Sequence, residues 1–210
     1  MQKSVLLMIL SGLLLFIACN NPAADKTKAV TGEASQVASP ATMGQGQKYL
    51  ITPQNSKIEF VGSKVTGSEH GSFRAFTGEI DYHGTPENSR VTITIKTDSV
   101  VTDSSGLEKH LKTADFFDVA KYPEATFVST SIKPGGDKGA SQTITGNFTL
   151  HGVTKSITFP ATINVTPAVA SVDSTFSINR KEFGINYAGA ADNLIRDDVV
   201  ITLQIRANKG

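Results

Sequence analysis

From residue 48 onward, apolar and polar side chains alternate in runs bounded by turn residues. In VTITIKT (91–97), Val91, Ile93 and Ile95 fall on one face and Thr92, Thr94 and Lys96 on the other. TITGNFTLH (143–151) sets Ile144, Gly146, Phe148 and Leu150 together. SITFPATINV (156–165) sets Ile157, Phe159, Ala161, Ile163 and Val165 together, and VVITLQIRA (199–207) does so with Val199, Ile201, Leu203, Ile205 and Ala207. A period of two sustained this long predicts strands with one apolar and one wet face. Weaker alternation predicts further strands at 48–52, 57–65, 72–83, 125–133 and 168–178. His83-Gly84-Thr85-Pro86, Pro134-Gly135-Gly136-Asp137, His151-Gly152 and Thr166-Pro167 read as the turns between them. One segment departs from the pattern. SSGLEKHLKTADFF (104–117) predicts a helix capped by Ser104 or Ser105, with Glu108 in its first turn and Leu107, Leu111 and Ala114 on one face.

Eight or nine such strands with a single helix describe an antiparallel sandwich or an up-and-down barrel. About eight long strands, closed, leave an interior that is either packed or holds one small ligand. The inward faces mix phenylalanines with Gly78, Gly146 and Ala161. That mixture fits a cavity and equally fits a tapering, filled core.

The chain before residue 48 reads differently. Lys3 and the apolar run at 5–17 have the charge and length of an export signal, too short to span a bilayer comfortably. The end of that run, LFIAC, resembles the lipobox of bacterial lipoproteins, which implies that Cys19 is acylated and becomes the mature N-terminus. Cys19 is the chain's single cysteine, so no disulfide forms within the chain. Residues 20–47, rich in Ala, Ser, Thr, Gly and Gln, are expected to be a flexible tether between lipid and domain. Two or more acyl chains would make that anchoring stable. The domains expected are therefore a leader at 1–19, a tether at 20–47 and a barrel at 48–210.

Composition narrows the function. A net charge of +1 offers no basic excess for a nucleic-acid partner. There is no G-x-S-x-G elbow. The four histidines, His70, His83, His110 and His151, form no close metal-binding pair. Asp115 and Asp118 read as helix-end and turn residues. No catalytic residue, metal ligand or cofactor is expected.

HLKTADFFDVAKYPEATFVST (110–130) resembles the signature of the YceI-like family, also called polyisoprenoid-binding and lipocalin-like. GSFRAFTGEIDY (71–82), ITGNFTLHGVTKSITFPATI (144–163) and FSINRKEFGI (176–185) match three further blocks, in the family's order. The resemblance implies an all-β fold, an eight-stranded antiparallel lipocalin-like barrel with one short helix near the barrel mouth. It also implies an apolar tunnel for a long isoprenoid or other alkyl chain.

On that reading Phe116 and Phe117 sit at the mouth. The expected wall is Phe60, Phe73, Phe76, Ile93, Ile95, Phe127, Phe148, Leu150, Phe159, Phe176 and Ile178. Arg180 is expected to lock the barrel rather than to meet a headgroup. The partners implied are a lipid ligand of isoprenoid or isoprenoid-quinone type and the membrane, at the periplasm or cell surface. A tail of about forty carbons at ~0.8 kcal/mol per buried carbon would gain roughly 30 kcal/mol against water. That exceeds the ceiling of about 18–21 kcal/mol for non-covalent binding, so the bilayer is the relevant reference state. The alternative is a filled barrel on a surface lipoprotein, acting as a protein-interaction module. Edges near 48–52 and 199–207 are expected to be exposed and able to pair two barrels into a homodimer.

Overall fold

A computed structural model describes residues 21–37 and 46–210. The leader and Cys19 lie outside the described residues. The strands are β1 (Thr27–Lys28), β2 (Val30–Gly32), β3 (Gln47–Ile51), β4 (Lys57–Ser63), β5 (Ser68–Phe73), β6 (Phe76–Tyr82), β7 (Arg90–Lys96) and β8 (Val100–Thr102). The helix α1 (Ser105–Leu111) follows. Then come β9 (Glu124–Pro134), β10 (Gln142–Leu150), β11 (Val153–Val165), β12 (Val169–Asn179), β13 (Gly189–Ala190), β14 (Asn193–Leu194) and β15 (Asp198–Lys209).

Eight antiparallel staves close into a barrel. Five are the single long strands β9, β10, β11, β12 and β15, in that order around the ring. The other three are bent. β3 and β4 lie consecutively along one side of β15, with Asn208 opposite Leu50 and Val200 opposite Val61. β5 and β6 form the next stave, which breaks at Arg74 and Ala75, where Ser99 Oγ accepts from the Ala75 amide. β7 and β8 form the last, and β7 returns to β9 to complete the ring. The strand expected at 72–83 is thus two pieces around a kink. The edges expected to be free near 48–52 and 199–207 are paired on both sides, β3 between β15 and β6, β15 between β12 and β3–β4.

Residues 21–37 differ from the expected tether. β1 runs parallel to β12, with Thr27 opposite Phe176, and β2 runs antiparallel to β11, with Val30 opposite Thr158. β11 and β12 pair directly only from Thr162–Asp173 to Val165–Ala170. Towards the mouth they part, and this N-terminal strap fills the seam. Ala29, between the two short strands, is buried, and its amide donates to the Ser177 carbonyl. Polar side chains could not hide their own backbone groups here. The open edges of β11 and β12 satisfy them instead.

The helix also differs. It is capped by Ser104, whose hydroxyl accepts from the Leu107 amide, but it ends at Leu111 rather than at 117. Thr113 Oγ1 donates to the His110 carbonyl, and the Asp115 carboxylate takes the His110 ring at 2.9 Å. Such short polar side chains compete with helical hydrogen bonding. The chain turns instead, with Phe117 N donating to Leu111 O and Asp118 at φ 47°. Phe116 and Phe117 therefore stand on a tight turn after the helix.

Candidate functional site: an apolar tunnel

The inward faces of the staves enclose two apolar chambers. The lower one has a volume of about 100 Å³ and the upper about 120 Å³. Phe73, Ile95, Phe148, Ile178 and Ile201 border both, so the chambers adjoin end to end along the barrel and share part of their wall. Among the described residues, Arg180 is the one charged residue on either lining, and its polar atoms are spoken for. Nη1 donates to the Ile185 carbonyl at 2.8 Å, Nε to Arg196 at 3.1 Å and Nη2 to Ile195 at 3.3 Å. Burial lowers its pKa from the ordinary arginine value, opposed by the Asp197 carboxylate. Arg180 thus fastens the 185–196 loop, which carries β13 and β14, across the barrel end.

The sequence-predicted wall residues divide between the chambers. Ile93, Phe127, Phe159 and Phe176 line the lower one, and Phe60, Phe116, Phe117 and Leu150 the upper. With the shared Phe73, Ile95, Phe148 and Ile178, twelve of thirteen come together on the tunnel. Phe76 does not. It is buried in the core and borders neither chamber. Further aliphatic residues of the same alternating faces, outside the expected wall, also line the interior. Val91, Ile144, Ile157, Leu203 and Ile205 line the lower chamber beside Ile58 and Val172. The period-two pattern already placed most of them. Leu111 of the upper lining lies on the helix face that its period marks, whereas Ile185 and Ile195 come from the loop, where no period announces them.

The mouth is roofed by two ring clusters. Phe117 packs on Phe73 at 5.7 Å and on Phe60 at 6.4 Å between centroids. Phe116 meets Tyr187 of the loop at 5.5 Å, and His110 lies 5.0 Å from each of them. The roof thus joins the turn after α1 to the loop that Arg180 holds. Lower down, Phe159 and Phe176 stack at 4.2 Å with 12° between planes, bridging β11 and β12 beneath the strap. Such a space offers dispersion and exclusion of water to an apolar chain, with no free polar group to bind a headgroup inside. Among the described residues no cluster of His, Cys, Asp or Glu could hold a metal ion.

The profile of the YceI-like domain matches residues 49–207. A UPF0312 protein from Pseudomonas putida (strain KT2440) is 39% identical over 139 residues, covering 63% of this chain and 71% of that protein. Among solved structures, BcnA of Burkholderia cenocepacia aligns with a TM-score of 0.67 at 23% identity, over 75% of this chain and 99% of that one. A polyisoprenoid binding domain from Saccharophagus degradans, implicated in plant cell wall breakdown, aligns with a TM-score of 0.62 at 17% identity. It covers 79% of this chain and 99% of that one. At these identities the two structural likenesses speak for the fold alone.

Proposed function

The chain belongs to the YceI-like family, and on that footing we propose that its barrel binds and carries a lipid with a long apolar chain, of isoprenoid or related type, without catalysing a reaction. The observation that carries this is the apolar interior: two adjoining chambers where, among the described residues, the only charged lining residue is already committed to three backbone carbonyls. The polyisoprenoid-binding relative supports the choice of ligand class by analogy of fold. The reading includes export and acylation of Cys19, supported by the apolar run at 5–17 and LFIAC. Anchoring beside a bilayer suits a carrier, because the membrane solvates the same tail and transfer then needs only comparable affinity.

Native mass spectrometry of the full chain, purified from bacterial cells, tests the proposal. The expected result is a discrete added mass that organic extraction releases and identifies as a lipid. A clean protein mass, with no uptake of an added isoprenoid quinone, would sink it and favour the filled-barrel interaction module.

A further inference from the structure

The tunnel has a floor. On β12 and β15 the lower chamber ends at Val172 and Ile205. Two residues further along these strands stand Ala170 and Ala207, both buried and bordering neither chamber. Tyr49 on β3 lies at this end too, almost fully buried, with its backbone opposite Lys209. Its hydroxyl donates at 2.8 Å to the Thr166 carbonyl in the β11–β12 turn. β3 and β11 are separated in the ring by β15 and β12, so the phenol reaches across the barrel end. The ring of Tyr82 meets it edge-on at 6.3 Å. Small inward residues, Ala161, Ala170 and Ala207, leave room for it at this level.

We infer that the two chambers join into one blind tunnel, with Tyr49 as its floor, and that it takes one apolar chain of about sixteen backbone bonds. The inference rests on the lipid-binding reading above. The length follows from the strands. From Arg180 on the upper lining to Val172 at the bottom of the lower one, the chain runs eight residues. At ~3.3 Å per residue and a stave tilt of about 40°, that is roughly 20 Å of axial depth. An extended chain advances about 1.2 Å per backbone bond, as in a polypeptide, where three bonds span ~3.5 Å. The tunnel therefore holds about sixteen bonds, the length of a single fatty acyl chain or of about four isoprene units.

The small volume of the chambers favours one extended chain over a doubled-back one. The chambers, about 100 and 120 Å³, are smaller than the ~300–1,000 Å³ of pockets that hold bulky ligands. A forty-carbon prenyl tail has about thirty-two backbone bonds, twice the tunnel's depth, so half of it would stay outside. The shared chemistry is thus a single medium-length chain, acyl or prenyl, with its head at the roof of Phe116, Phe117 and Tyr187.

The test is displacement of a fluorescent fatty acid from the full chain by straight-chain fatty acids of about 12 to about 24 carbons. Affinity is expected to rise about fourfold per added carbon, then to level off near sixteen. In Val172→Phe, where a ring fills the bottom of the lower chamber, the plateau should come about four carbons earlier. In Tyr49→Ala, if folded, it should come later. Affinity that keeps climbing through the whole series in the parent chain, or a plateau that Val172→Phe does not move, overturns the blind tunnel and leaves lipid binding intact. No binding by any fatty acid or by any member of the prenyl alcohol series below overturns lipid binding and this inference with it. A parallel series of prenyl alcohols separates the two sources. A plateau near four units with tighter binding than the matched acid assigns a prenyl ligand, and the reverse assigns an acyl one.

Discussion

Arg180 is buried and still charged, and three backbone carbonyls on the 185–196 loop hold it there. Its neighbours Phe183 and Gly184 do related work. Phe183 has no exposed surface and packs on Phe148 at 5.2 Å, while Gly184 turns the chain at φ 76°. The R-x-x-FG block read from the sequence is therefore a joint, whose Arg ties down the 185–196 loop mainly through carbonyls, with the Asp197 carboxylate at 3.7 Å from Nη2. Arg180→Lys keeps the charge and loses the planar fork. It should leave carbonyls without donors and cost about 1–3 kcal/mol. A lower urea midpoint, with faster amide exchange at Ile195, would show this, whereas an unchanged midpoint would mean that water replaces the guanidinium at no loss. Gly146 makes a second case. A Cβ there would stand 2.3 Å from Phe127 Cζ and 2.7 Å from the Val128 carbonyl oxygen. The backbone cannot step aside, so Gly146→Ala should destabilise by about 1–3 kcal/mol in the same unfolding assay. The alternation put Gly146 on the inward face. That its smallness serves Phe127, a ring on the next strand, depends on a register shift between Thr145 and Gly146, which no local pattern carries.

At the scale of elements, what the sequence told depended on who buries whom. β7, β10, β11 and β15 hide their own apolar faces, so each shows its period in its own residues. The strap does not. Thr27, Lys28, Val30 and Gly32 are strand because β11 and β12 part and offer unpaired edges, a fact written in other segments. The end of α1 was also hidden, because it depends on Thr113 and Asp115 turning their side chains back to His110. The strap's ion pairs, Lys28 with Asp198 and Lys155 with Glu33, both 2.8 Å, are exposed and contribute little. Its backbone pairing and buried Ala29 must do the holding. Ala29→Asp would bury a lone carboxylate under the seam. The expected outcome is a strap that detaches from a barrel that stays folded. Hydrogen exchange at residue 29 should accelerate to the rate of an open chain, while the amides of β9 and β10 keep their protection. Retained protection at residue 29 would show that the strap docks by pairing alone.

The molecule as a whole is a closed sheet whose sequence blocks sit mostly at its joints. Tyr122 of the Y-P block packs on His151 at 4.9 Å, and its ring fills the space a Cβ of Gly152 would need. The DFF block roofs the mouth, and the R-x-x-FG block ties down the loop beside it. Between these joints the wall is ordinary aliphatic and aromatic alternation. That is why the tunnel's location was legible while its openness was not: filled and hollow barrels share the same inward pattern. Openness has an energetic consequence that a filled barrel lacks. A chain lipid that binds the folded state alone stabilises it by about 2.7 kcal/mol at a free concentration a hundredfold above its Kd. For a domain of this size that corresponds to a rise in Tm of about 5–10 °C. Protein stripped of lipid by organic extraction and refolded should therefore melt lower than protein as isolated, and an added single-chain lipid should restore the difference. Phe117→Ala, which opens the roof at a residue outside the staves, should keep the stripped Tm within a few degrees and shrink the lipid-induced rise. If the stripped and lipid-exposed parent proteins melt together, the chambers are packing defects of a filled barrel, and the search turns to the loops and a protein partner.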